Sequence, residues 1–339
     1  MLRCGPGLIG LLLPCAALAQ TMLSSAGFAQ ATPPRAAFAQ TPPRAGLAQT
    51  TPSPAALAQT PSPAAFAQTP SPAALAQTPP CAACAHTALA RTPLALHASY
   101  ETYAAGLHVA AVESGLSFGP WDYRMSLGYH TTGMVGFFFG GHQFDSVSGS
   151  WQGERAQPSR FLGQGTWHGT ERLTEIDYRP GQPSIRQLTP PNADEREPVP
   201  ESLQANTIDT LSALVELIHV VQDTGRCETT ARTYDGRRAV EIEAHTVGEE
   251  ILAPTDRSSF AGKALRCDFS GRMLSGFKFG DDRARDSKPM HGSAWLSVVV
   301  AGGPPLPVRL AFETRWFGDA IMYLTGVGPG SELKLARGD

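Results

Sequence analysis

The first hundred residues contain no acidic side chain; the earliest is Glu101, although the 339-residue chain holds 30 Asp and Glu in all. Arg3, Arg35, Arg44 and Arg91 are the only charged side chains before it, which leaves 23 bases against 30 acids from residue 101 onward, a net of −7. A mildly acidic domain with no basic stripe lacks the footprint of a nucleic-acid binder. No apolar run reaches the roughly 20 residues that a membrane-crossing helix needs, so no transmembrane helix is expected in the mature chain. The nine histidines never stand at His-x-His or His-x-x-x-His spacing, so no local metal motif exists. Gly133 to Gly141 is glycine-rich but lacks the Lys and Ser/Thr of a phosphate-cradling loop.

What the N-terminal third does have is a repeat. Arg3 precedes a short apolar stretch, Leu8 to Leu13, and Ala17-Leu18-Ala19-Gln20 then fits the small-x-small rule of a secretory cleavage site. Residues 1–19 read as a signal peptide that directs the chain to the periplasm. Pro14 is a poor neighbour for a lipid-anchoring cysteine, which argues against anchoring at Cys15. The phrase recurs as Ala37-Phe38-Ala39-Gln40, Ala56-Leu57-Ala58-Gln59 and Ala74-Leu75-Ala76-Gln77. Prolines every few residues block helix and sheet, and one Leu or Phe per nine or ten residues buries too little to offset ordering entropy. Residues 20–95 are therefore expected to be a disordered Ala/Pro/Gln/Thr tail, more economically read as duplicated processing sequence than as a spacer.

Six cysteines are present. An exporting compartment makes disulfides the first reading, and Cys227 and Cys267, each beside strand-like sequence, are expected to pair. Cys81-Ala-Ala-Cys84 lacks the strand–helix context of a redox motif, the adjacent His of haem attachment and two of the four ligands of a zinc site. A local or intermolecular disulfide is the simplest use of it.

Residues 96–339 suffice for one sizeable core. Their text is strand-like: Tyr100 to Val112; Trp121 to Tyr129, with Trp121, Tyr123, Met125, Leu127 and Tyr129 on one face; and further runs to Gly326. Tyr234-Asp235-Gly236-Arg237 reads as a two-residue hairpin turn. Pro180 to Pro200 reads as a loop. One helix is expected at about 206–222, with Leu211, Leu214, Val215, Ile218 and Val221 in a stripe, Asn206 or Thr207 as cap and Gly225 as terminator. The fold class is α+β, mostly antiparallel β.

The succession Tyr100-x-x-Tyr103-x-x-Gly106-Leu107-x-Val109, Asp209-Thr-Leu-Ser212-Ala213, Tyr234-Asp-Gly-Arg-Arg238 and Pro307-Val-Arg-Leu310 to Thr314-x-x-Phe317-Gly318 resembles the bacterial domain-of-unknown-function family 3108, over about 97 to 326. That resemblance implies an exported envelope protein whose strongly bent sheet is a half-barrel similar to lipoprotein carriers. It brings no catalytic residues.

No catalytic set emerges from the residues either. Ser212 lies between Asp209 and His219 but in no Gly-x-Ser-x-Gly turn, and packing explains it more simply. Arg237-Arg238 reads as a solvated hairpin end rather than a grip for an anionic head group. Trp121, Phe137, Phe138, Phe139, Trp151 and Trp295 are numerous enough to line an acyl-chain cavity, although a solid core uses the same residues. The expectation is a non-enzymatic protein, without cofactor, that binds a lipid, acyl chain or other apolar small molecule. An interaction module for an envelope protein partner comes second, an envelope hydrolase third. If later repeat copies are cut too, the mature N terminus is ragged; one unique start by N-terminal sequencing would exclude that.

Overall fold

Glycine, bulges and period-two patterning shape the chain into strands from its first described residue. The computed structural model describes residues 94–330, apart from 168, 180 and 315–317. The expected signal peptide, Cys15, Cys81, Cys84 and all but the last two residues of the expected tail lie outside them.

Seven strands form a first meander: β1 (Leu94–Ala104), β2 (Leu107–Phe118), β3 (Asp122–Thr131), β4 (Gly141–Gln152), β5 (Arg155–Trp167), β6 (Thr170–Arg179) and β7 (Gln182–Thr189). Six form a second: β8 (Thr229–Tyr234), β9 (Ala239–Leu252), β10 (Gly262–Ser275), β11 (Met290–Ser297), β12 (Leu306–Thr314) and β13 (Gly318–Pro329). β13 pairs with β1, so one antiparallel sheet runs from β7 through β1 and β13 to β8. Register shifts interrupt several ladders, including Ser99/Tyr100, Ser148/Gly149, Glu175/Ile176 and Arg266/Cys267. Each adds local twist, and together they curl the sheet into a nearly closed barrel.

Closure falls to the segment between the two edge strands. Asn206 N–H donates to Gly181 O, in the β6–β7 turn, at 3.0 Å; Ile208 N–H donates to Arg232 O and Ile208 O accepts from Tyr234 N–H, both on β8. Tyr178 Oη donates to Tyr234 O from β6. At Gly236, φ is 85° and an added Cβ would come within 3.1 Å of Thr174 Cγ2, so glycine lets the β8–β9 tip rest on β6.

Helical segments are α1 (Gly133–Phe139), α2 (Glu201–Gln204), α3 (Thr210–Thr224) and α4 (Arg283–Asp286). The expected amphipathic helix is α3, with Leu211, Val215 and Ile218 buried inside the sheet. It rests on β3, β4, β5 and β8. Its cap is Asp209, whose carboxylate accepts from Ser212 N–H, rather than Asn206 or Thr207; Asn206 takes φ 56° and Thr207 Oγ1 donates to Gln204 O. Gly225 ends it at φ 68°, as expected.

Three local expectations are corrected. Tyr100 to Val112 is two strands, because Ala105 and Gly106 both take positive φ in a two-residue turn; alanine gives no signal for that conformation. Part of Pro180 to Pro200 is β7, which β6 holds by backbone pairing although most of its side chains are exposed, so periodicity is silent there. In the Asp235–Arg238 turn, Asp235 does not take positive φ; its carboxylate accepts from Arg237 and Arg238 N–H instead.

Cys227 and Cys267 are joined, closing a loop across 40 positions and tying the approach to β8 onto β10. A cross-link of that span is expected to contribute about 4 kcal/mol through unfolded-state entropy. Replacing both cysteines by alanine should lower the urea-unfolding free energy by roughly that amount and raise the m-value, because the unfolded chain expands; a loss below about 1 kcal/mol would contradict it.

Candidate functional site

Two faces of α3 meet different halves of the sheet. Leu211, Val215 and Ile218 go into the core, whereas Thr210, Ala213, Leu214 and Leu217, spaced i, i+3, i+4, i+7, border a cleft toward β9–β12. Across it stand Ala231, Ile242, Ala244, Phe269, Ala294, Leu296, Pro307 and Leu310. Alternate residues on β9 (242, 244) and β11 (294, 296) reach the same face, as the pleat requires. The lining is almost wholly apolar. The cavity volume is about 50 Å³. Four alanines, at 213, 231, 244 and 294, keep that space from filling.

The opposite flank of α3 is pinned by polar bonds. Glu216 accepts from Arg155 Nη1 at 2.7 Å through Oε1 and from Ala156 N–H at 2.8 Å through Oε2. Ser212 Oγ donates to Asp209 Oδ2 at 2.5 Å and lies 2.7 Å from Tyr123 Oη. All three side chains of that chain are buried. Burial pushes the Asp209 carboxyl up to about 6 against the lowering effect of its Ser212 bonds. Asp145, on β4, is pushed up to about 7 by burial, although Gln143 Nε2 donates to it at 2.7 Å. Burial likewise raises the Tyr123, Tyr129 and Tyr178 phenols.

Of the aromatic residues expected to line a cavity, the four whose side chains are described do not meet there. Trp121 is 81% exposed, just before β3, and Phe137 is 83% exposed on α1. The glycine-rich run from Gly133 holds α1. The side chains of Phe138 and Phe139 lie outside the described set. Trp151 stacks on His219 at 4.1 Å and contacts Phe118 and Tyr123, away from the cleft lining. Trp295 points to the other face of β11 from Ala294 and Leu296. There the Arg266 and Arg309 guanidiniums lie 5.4 and 4.6 Å from its ring centroid, and its Nε1 donates to Glu250. Aliphatic and alanine side chains line the cleft instead, and their even spacing on α3, β9 and β11 was the only signal for them.

Catalytic spellings dissolve in the same way. Ser212 Oγ is engaged by Asp209 and Tyr123, while His219 stacks on Trp151. Gly115-Leu-Ser117-Phe-Gly119 has the spelling of a nucleophile turn, but Ser117 lies within β2 opposite Arg124, with no helix following. Among the described residues no group of three or more His, Cys, Asp or Glu is arranged to hold a metal ion, and no helix is long and apolar enough to cross a membrane.

The family model described as protein of unknown function (DUF3108) matches residues 99–325. The chain belongs to the DUF3108 family. No curated protein matches it. Among solved structures, a beta-barrel-like protein of domain of unknown function DUF1849 from Brucella abortus is similar at 11% identity. That match covers 70% of this chain and 99% of that one, with a TM-score of 0.42.

The Arg237-Arg238 pair of this DUF3108 chain is not a solvated hairpin end. The side chains are 9% and 3% exposed. Glu195 accepts from Arg172 through both carboxylate oxygens, at 2.6 and 3.1 Å, and lies 3.5 Å from Arg237. Arg238 donates twice to Asp235 Oδ2. Arg172 and Arg238 stand 66 positions apart, so only folding brings Arg172 and Glu195 to the hairpin.

Asp145 sets a pH dependence. Its folded pKa is raised, so its contribution to stability is complete below the unfolded value near 4 and is lost as pH rises to about 7. Asp145→Asn should flatten the fall in unfolding free energy across that window by an amount on the order of a few kcal/mol. Superimposable pH profiles of the two proteins would contradict the assignment.

Proposed function

We propose that this chain is an exported, non-enzymatic carrier of the cell envelope that holds a lipid acyl chain or other apolar ligand between α3 and β9–β12. The observation that carries this reading is the cleft itself. An alanine-floored, almost wholly apolar space beside a well-packed core is unusual, because interiors normally fill to crystal-like density. Its volume takes roughly four water-sized groups, and water finds few hydrogen-bond partners on so apolar a lining. A full acyl chain requires α3 to move off β9–β12 while its polar bonds to β3 and β5 hold. The asymmetry of its packing supports that: one flank is bonded through Glu216 and Ser212, and the other faces empty space.

The export half of the proposal rests on the signal-like N terminus and is tested by fractionation. A second reading, docking of another envelope protein, is favoured by Trp121, Met134 and Phe137, all exposed.

Native mass spectrometry of protein purified from envelope fractions should recover an apolar ligand, and a fluorescent long-chain fatty acid should bind in its place. Ala213→Trp, which fills the cleft from a half-buried helical position, should weaken that binding at least about tenfold, equivalent to roughly 1.4 kcal/mol. The melting temperature serves as the control for folding. Ligand-free protein that takes up no apolar probe would overturn the reading.

A further inference from the structure

The loop that joins β11 to β12, residues 298–305, continues the wall of the apolar cleft. Leu296 and Pro307 are cross-strand partners one rung in from the last, Ser297 and Leu306, and both line the cleft. From Val298 to Pro305 the loop carries no polar side chain. Its two halves are held differently. On the C-terminal side Gly303, Pro304 and Pro305 are buried, and each proline fixes its own φ and restricts the residue before it. An added Cβ at Gly303 would come within 3.1 Å of Leu94 Cδ2, so this stem is wedged against β1. On the N-terminal side Val299 and Val300 are only partly buried against the core, and Val298 is 56% exposed.

Val298 to Gly302 thus form an arm on a rigid stem. Among the described residues, the loop's backbone hydrogen bond runs from Gly303 N–H to Val300 O, at 2.9 Å, and stays within the loop. The β9–β10 connection, at the same end of the sheet, is fastened otherwise: Ser259 N–H and the Ser258 and Ser259 hydroxyls all donate to Leu324 O on β13. The arm has partial apolar packing in place of such bonds, and segments held that way open at low cost. Gly302 supplies the pivot. Its φ is 75°, and an added Cβ there would meet nothing within 4 Å. One left-handed glycine and two half-buried valines keep the arm shut.

We propose that Val298 to Gly302 are the gate of the apolar cleft. Val299 and Val300 lift off the core together, the arm turns about Gly302-Gly303, and the Pro304-Pro305 stem stays in place. The cleft wall then opens at its Leu296–Pro307 end. This inference rests on the carrier reading and supplies its entry route: α3 is one wall and widens the space, and the arm at the end of the opposite wall lets the ligand pass. A gate must open for entry and exit alike. It therefore sets both rates and leaves their ratio, the affinity, unchanged.

The test is stopped-flow uptake and release of a fluorescent long-chain fatty acid by the whole chain. Gly302→Ala destabilises the shut turn through the backbone, while its added methyl meets no other atom of the protein. The association and dissociation rate constants should both rise about tenfold, with Kd changed by less than about twofold. Val299→Ala combined with Val300→Ala should raise both rates as well, with melting temperatures as the control for folding. Rates that ignore Gly302→Ala, or a dissociation rate that rises alone in the double variant, would overturn the gate and leave the carrier reading in place. Wild-type protein that takes up no probe would overturn the carrier reading, and the gate with it.

Discussion

An antiparallel meander that is thirteen strands long still has two edges, and the backbone groups along them must find partners. Here the chain between β7 and β8 supplies them. Asn206 reaches the β6–β7 turn and Ile208 pairs with β8, two residues apart, so three residues of chain span the seam of the barrel. Everything else takes its position from that closure. Asp209, the next residue, caps α3, which places the helix inside the curl rather than on its outer surface. An exposed β8 edge would otherwise be a template for pairing with another chain.

Once α3 is inside, its two flanks have unequal fates. On one, Glu216 and Ser212 bond to β5 and β3 and the aliphatic stripe is buried. On the other, Ala213, Leu214 and Leu217 face a wall that includes Ala231, Ala244 and Ala294. The curvature of the sheet, set by its bulges, is larger than one helix can fill. The disulfide holds the chain leaving α3 to β10, whose Phe269 lies in the cleft wall, so the far side of the cleft is anchored covalently.

The polar interior follows from the same geometry. Closing the seam brings the β8–β9 tip against β6 and the 190–200 segment, and so forces arginines from three separate stretches into one buried cluster. Asp145 and Asp209 are buried by the strands around them rather than by their own neighbours in sequence. That burial raises both pKa values.

The strands were legible where a side chain alternates between core and solvent: Tyr123, Met125, Leu127 and Tyr129 are buried in register with the text. So were the helical stripe of α3, its glycine stop and the pairing of Cys227 with Cys267. β7 was not legible, because an exposed edge strand held by backbone bonds leaves no mark on side-chain choice. Nor was the turn at Ala105–Gly106, since alanine announces no positive φ. The site was the least legible part. Large aromatics are the conspicuous apolar residues, yet Trp121 and Phe137 face outward and Trp295 lies against arginines on the other face of the sheet. The cleft is lined by alanines and aliphatics that any core would use.

By itself, then, the sequence determined local periodicity, the antiparallel β-rich class with one main helix, and which cysteines could meet. Only the tertiary structure decided which face became concave, where packing stopped short of filling it, and that Arg172, Glu195, Arg237 and Arg238 share one buried space. The reason is physical: periodicity records whether a residue is covered, whereas register, curvature and closure decide what covers it.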